Sequence, residues 1–316
     1  MTNCWDDREH AFLDLLELLR ATGYRFITPT PNTQAIVLAR QPNREARTTE
    51  DVLGWSLPFR TRSIDAGVEE LLERAEALET IGELKRASVR VSSLGHHLFL
   101  HSAFPTAAAN SVFFGPDSYR FARFLTEQLC GVAGSTLVDI GTGSGVGAIV
   151  AAELMPSAHI AMTDINPLAL RLARINAAAA GVNPSLHSGD ILADVAGQFD
   201  IAVANPPYII DAEHRAYRDG GGLHGAELSL RMTRAVLSRL APGGRFLLYT
   251  GSAIIGGKDL FREMAAEAAA EGECSLDYNE IDPDVFGEEL AKPAYLRVER
   301  IAAVGAVFRR SDQYRS

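Results

Sequence analysis

Cysteine is scarce. The 316 residues contain Cys4, Cys130 and Cys274, an odd number too widely spaced for a disulfide framework and without a Cys-x-x-Cys pair for metal. That usage suits a reducing compartment and predicts a cytoplasmic protein. Long apolar runs are missing too: none approaches the roughly 18 residues of a membrane span, and runs such as Ile201 to Ala204 are strand-sized. The segment Met1-Thr2-Asn3-Cys4-Trp5-Asp6-Asp7 has no basic stretch followed by an apolar one, so no secretory signal is expected. Positive charge is in deficit, with 30 Lys+Arg against 40 Asp+Glu and a net charge of −10. Up to Pro105 the balance is 12 basic to 15 acidic residues, and after it 18 to 25. Neither part is the basic module that phosphate neutralisation calls for, so nucleic acid is not expected as a partner. There is no Gly-x-Ser-x-Gly elbow and no Walker lysine motif.

What is present suits a globular protein of two domains, 47% hydrophobic and 22% charged. Residues 1–105 read as a small mixed domain. Phe12, Leu15, Leu16 and Leu19 form one helical stripe over 9–20, and Val68, Leu71, Leu72, Ala75, Leu78 and Ile81 form another over 64–86. The apolar run 35–39 suggests a short strand followed by a loop with Pro42 and Asn43. Runs 88–93 and 97–101 flank Leu94-Gly95-His96 as a hairpin. Residues 105–116 form a connector. Residues 106–316 then alternate strand and helix: helices at 117–130, 146–154, 167–180, 226–240 and 257–271, with strands at 136–140, 159–165, near 186, 199–204, 245–250, 275–281 and 300–308. This spacing predicts an α/β fold whose parallel sheet is covered on both faces.

Four motifs fall at successive strand ends. The first is Asp139-Ile140-Gly141-Thr142-Gly143-Ser144-Gly145. Glycines there allow a sharp turn and a close approach of backbone to ligand. A Rossmann dinucleotide site is a rival reading: its third glycine would fall on Val146 or, tolerably, on Ala148. Asp139 would repel a pyrophosphate and attract an ammonium group. The second motif is Thr163-Asp164-Ile165-Asn166-Pro167, where Asp164 suits ribose hydroxyls of either a sulfonium or a nicotinamide cofactor. In the third, Gly189-Asp190-Ile191, the acid could take an adenine amino group while the isoleucine packs on the ring. The fourth, Asn205-Pro206-Pro207-Tyr208, follows the apolar strand directly. Its prolines fix the backbone, so that Asn205 Oδ1 and the Pro206 carbonyl can accept the hydrogens of a planar nitrogen. Tyr208 can stack on a flat substrate or lie beside a cation.

With these motifs in order, residues 106–310 resemble a class I S-adenosylmethionine-dependent methyltransferase of the branch carrying Asn-Pro-Pro-Tyr, and within it the release-factor glutamine methyltransferase group. Asp219-Gly220-Gly221 and Pro242-Gly243-Gly244 add to the resemblance. It implies a Rossmann-like seven-stranded sheet whose last strand is antiparallel. It also implies S-adenosyl-L-methionine as cofactor: Asp139, Gly141, Gly143 and Gly145 at the methionine part, Asp164 at the ribose, Asp190 and Ile191 at the adenine, with Ile165 also counted among the cofactor-binding residues. Asn205, Pro206 and Tyr208 would serve the reacting amine, Asn205 bordering the cofactor as well. Three segments depart from the group: 112–119 lacks its Arg-Pro-Glu-Thr type sequence, residues 1–105 are mixed where that group is helical, and the tail 280–287 differs.

The expected reaction is methyl transfer to an amine or amide of a small molecule or protein side chain. An alternative is that S-adenosylmethionine is itself the substrate, cyclising to azetidine-2-carboxylate with release of methylthioadenosine. That alternative needs Phe114, Tyr119 and Tyr208 to close the acceptor space. Base methylation and a non-catalytic sensor rank lower. Phe114 and Tyr119, with Phe104 and Phe113, are expected to build an aromatic lid over the site. His96, His97 and His101 share the hairpin without a nearby carboxylate or thiolate pattern, so no metal is expected.

Overall fold

A computed structural model describes residues 5–42 and 44–312. Met1 to Cys4, hence the first cysteine and most of the segment examined for a signal, lie outside the described residues, as does Asn43. The other two cysteines are free.

The N-terminal part begins with α1 (Asp7–Ala21), closed by a reciprocal capping box between Asp6 and Glu9 and burying Ala11, Phe12, Leu15, Leu16 and Leu19. The expected strand at 35–39 is helical: α2 (Pro31–Ala39) starts where Thr30 accepts from the Thr33 amide and Pro31 takes the first turn. A short α3 (Thr49–Leu53) follows. The expected helix 64–86 stops early. After α4 (Ala66–Arg74) the chain turns at Glu76, whose φ is 51°, and continues as a hairpin of β1 (Leu78–Ile81) and β2 (Leu84–Ala87) around Gly82. The second hairpin, β3 (Val89–Leu94) with β4 (His97–Ser102), is where the sequence puts it.

Beyond the connector come α5 (Pro116–Leu129), β5 (Thr136–Ile140), α6 (Val146–Leu154), β6 (His159–Asp164), α7 (Pro167–Ala179), β7 (Ser185–Ser188) and β8 (Phe199–Ala204). These are followed by α8 (Glu227–Leu237), β9 (Leu240–Ile255), β10 (Lys258–Asp259), α9 (Leu260–Glu271), β11 (Cys274–Asp282) and β12 (Arg300–Arg310). The sheet runs β11-β12-β9-β8-β5-β6-β7, with β10 paired to β9. Strands β5 to β9 pair in parallel, and β12 is antiparallel to both neighbours. This is the seven-stranded order expected, with the short β10 added.

Alternation along the strands divides the core between the faces. Leu137, Ile201, Val203 and Leu247 pack with α5 and α6. Val138, Ala202, Ala204, Phe246 and Leu248 pack with α8 and α9. The N-terminal core does not stop at residue 105, because Ala169, Leu172 and Ile175 of α7 belong to it. One side chain couples the two parts: the buried Asn176 of α7 pairs with both the amide and carbonyl of Leu100 on β4 and donates to the Ser144 carbonyl of the glycine turn.

Candidate active site

The four motifs converge on one cavity at the C-terminal ends of β5, β6, β7 and β8, where open α/β sheets bind ligands. Asp139, Gly141, Gly143, Asp164, Ile165, Asp190, Ile191, Asn205, Pro206 and Tyr208 all line it. Gly145 sits just behind, as the residue that starts α6.

On the β5–β6 side the turn is held by carboxylates. Gly141, Gly143 and Gly145 have φ of 64°, 55° and 85°, which only glycine adopts without strain. Asp139, 1% exposed, accepts from Thr142 Oγ1 at 2.6 Å and from the Ala148 amide at 2.9 Å. A Cβ on Gly147 would stand 2.6 Å from its Oδ1, so α6 can reach the carboxylate only with glycine there. Burial pushes the Asp139 carboxyl up to about 6, against those hydrogen bonds. Asp164 accepts from the amides of Gly143 and Asn166, both at 2.9 Å, and burial raises its carboxyl as well. Ile165 is 56% exposed, an apolar wall open to a flat ring. Ile191 stands at φ 55° with its carbonyl held by Thr163 Oγ1. The Asp190 carboxylate is bound by Arg231 at 2.6 Å, a partner invisible in the motif.

The β8 side is different. Asn205 is half-buried, and its carboxamide makes no hydrogen bond among the described residues; nor does the Pro206 carbonyl. Tyr208 is fixed from behind. Its hydroxyl donates to Asp117 Oδ2 at 2.8 Å, Tyr249 donates to Oδ1 at 2.8 Å, and Arg120 pairs with the same carboxylate at 3.1 Å. Burial raises the Asp117 carboxyl, opposed by these donors. The Tyr208 ring meets Phe286 edge-on and lies so close to Gly251 that any Cβ there would collide with it. Asp117, Tyr249 and Phe286 were not foreseen from sequence. The available signal was an acid, Asp117, on the same helical stripe as Phe121 and Phe124. Asp219 accepts from the Asp211 and Gly221 amides, and Gly220 lies against the Gly225 carbonyl, which folds the loop after Tyr208 back over the site.

The aromatic lid is not found. Phe114 is 2% exposed and stacks on Phe99 and His101, and Tyr119 accepts from the Thr28 amide with its ring edge-on to Phe114. Neither lines the cavity. Both join the N-terminal part to the sheet, because burying apolar rings in that junction removes them from water. Of the aromatics expected in the lid, Phe113 does line the cavity, beside Ser111, Ser118 and Phe121, and Phe104 does not. The cyclising alternative required Phe114 and Tyr119 to close the acceptor space, so it loses that support.

Comparison with known proteins bears on the family and the fold. The Methyltransferase small domain family matches residues 108–253. The release factor glutamine methyltransferase of Deinococcus radiodurans is 30% identical over 289 residues, covering 87% of this chain and 95% of its own. That of Moorella thermoacetica is 30% identical, covering 82% and 93%. These matches extend past residues 106–310 into the N-terminal part. Among solved structures, Trm5b of Pyrococcus abyssi superposes with a TM-score of 0.51 at 14% identity, covering 78% of this chain and 68% of its own; that likeness concerns the fold alone.

Proposed function

The chain belongs to the release factor glutamine methyltransferase family and is an S-adenosylmethionine-dependent transferase, and from that premise we propose that it methylates N5 of a glutamine side chain in a release factor. The observation that carries the reading is the Asn205 carboxamide beside the Pro206 carbonyl, both without a hydrogen-bond partner among the described residues, on the wall of the cavity that Asp139 and Asp164 also line.

The lining fits the cofactor on physical grounds. The buried Asp139 carboxylate and the half-buried Asp164 carboxylate answer an ammonium group and a ribose diol, while the exposed Ile165 offers an apolar face to a purine. When bound, the cofactor supplies an electrophilic methyl group on a sulfonium. Asn205 Oδ1 and the Pro206 carbonyl then accept the two hydrogens of the substrate amide and hold its nitrogen in place. Acceptors on both hydrogens leave the face of the nitrogen free for attack and draw electron density toward it. One of those hydrogens departs as a proton after transfer, so no strong base is required and positioning carries most of the effect. Tyr208, rigid through Asp117, forms the wall against which the flat amide rests. The loop 205–225 and its glycines shape the approach to Asn205.

Purified protein incubated with methyl-labelled S-adenosylmethionine and a release factor tests this directly by peptide mass spectrometry. The expected result is a single label on a glutamine, with S-adenosylhomocysteine formed only in the presence of the acceptor. Methylthioadenosine formed from the cofactor alone, or label on another residue type, overturns the reading.

A further inference from the structure

The turn of the β3–β4 hairpin carries two adjacent histidines whose rings lie 4.1 Å apart, centroid to centroid, and tilted by 38°. Both Nε2 atoms converge on one oxygen: His97 is 2.8 Å and His96 3.0 Å from Oε1 of Glu153. Glu153 belongs to the last turn of α6, 56 residues along the chain from His97, so no local pattern announces it. The three donor atoms all lie within 4.8 Å of one another.

We propose that His96, His97 and Glu153 form a site for one divalent first-row transition ion, zinc being the best match. Zinc bonds of about 2.0–2.2 Å at tetrahedral angles place donor atoms roughly 3.3 Å apart. Reaching that spacing takes small torsional changes in His96 and Glu153, whose side chains are 76% and 42% exposed, while His97, at 8%, stays as the anchor. Two imidazoles and one carboxylate favour zinc and its neighbours over magnesium or calcium, which prefer all-oxygen shells. Without a cation, both imidazole Nε2 atoms must donate to one carboxylate oxygen; with one, both nitrogen lone pairs are used. The carboxylate also stands at the negative end of α6, where its own charge is unfavourable and a cation is welcome. Water completes coordination on the exposed side. His97 opens β4 and Glu153 lies in α6, with His96 in the turn before β4, so the ion would pin the N-terminal hairpin to the helix that begins at the glycine turn.

The test uses the full chain without an affinity tag, stripped with a chelator and titrated with zinc against a chromophoric competitor. Cobalt serves as a second probe, through its visible absorption in a tetrahedral nitrogen–oxygen site. One ion per chain is expected, with affinity at least about tenfold weaker in His97→Ala and in Glu153→Gln, since ligand-shell changes cost that much or more. Glu153→Gln keeps the amide oxygen that accepts from the histidines, so it separates loss of the ion from loss of fold. If His97→Ala does not fold by circular dichroism, the exposed His96→Ala replaces it. His10→Ala, on α1 and outside the cluster, binds like the parent. Absence of stoichiometric uptake, uptake that survives either substitution, or equal loss in His10→Ala overturns the proposal.

Discussion

On the β5–β6 side of the cavity the polar groups are already engaged: Asp139 holds Thr142 and the start of α6, and Asp164 holds the Gly143 and Asn166 amides. Across the cavity, Asn205 and the Pro206 carbonyl have no partner among the described residues. The first side therefore spends its hydrogen bonds on the shape of a turn, with the net charge left over for a ligand. The second side takes its rigidity from two prolines and the Tyr208–Asp117 bond, and keeps its acceptors for whatever arrives. One half is organised through its polar groups, the other behind them.

The largest effect should come from Asn205→Ala. If Asn205 belongs to the acceptor half alone, kcat falls by about 10²–10³, the range seen when one aligned polar group is removed from a transition-state site, and cofactor affinity by calorimetry barely changes. A matching loss of cofactor affinity would break the contrast and move Asn205 to the cofactor half. Asp117→Asn tests the rear support. An asparagine oxygen can accept from one of the two tyrosines but not offer two carboxylate oxygens, so stability should fall by about 1–3 kcal/mol in denaturant melts. Since Asp117 positions Tyr208, kcat should fall while cofactor affinity holds. An unchanged kcat would make the Asp117 cluster structural only.

Much of the cavity lining was legible, on both sides, because each motif is a short run of sequence neighbours. Asp139 to Gly145, Asp164 and Asn205 to Tyr208 each mark the end of one strand, and the alternation of strands and helices dictates that those ends lie side by side. The rear of the acceptor half was not legible, because Asp117 lies 91 residues from Tyr208 and 132 from Tyr249. Glu153 escaped in the same way, being delivered to His97 by tertiary packing alone. Local misreadings had local causes. The apolar run at 35–39 is too short to tell strand from helix by periodicity, and Thr30 with Pro31 was the deciding signal. The helical stripe past Ala75 persisted by coincidence through Leu78 and Ile81, where Gly82 at φ 62° marks a hairpin instead. Phe114 and Tyr119 looked like lid residues because position in the chain gives proximity to a site but not direction.

The subtlest distinction between the halves is in their response to pH. The buried Asp139 carboxyl titrates near 6 in the folded protein, whereas an unfolded carboxyl titrates at about 3.9. Between those values the folded state binds the extra proton, so this group makes the ligand-free protein less stable as pH rises from about 4 to 6. An ammonium group bound at Asp139, as proposed, would act oppositely, because it would need the carboxylate. Cofactor affinity should therefore weaken below pH 6 by up to tenfold per unit, the limit for one linked proton. Stability and affinity thus change in opposite directions over one window, a signature that a purely structural Asp139 would not give. Calorimetric titrations and thermal melts over the same pH series measure both. Asp139→Asn should flatten most of each slope, with a remainder from Asp164, whose carboxyl is raised by burial in the same sense. The acceptor half should be silent here, since Asn205 does not titrate: Asn205→Ala should keep the parent's pH dependence of cofactor affinity. If affinity proves flat across the window while apo stability still falls, Asp139 serves only the glycine turn, and the ammonium group must find its counter-charge elsewhere.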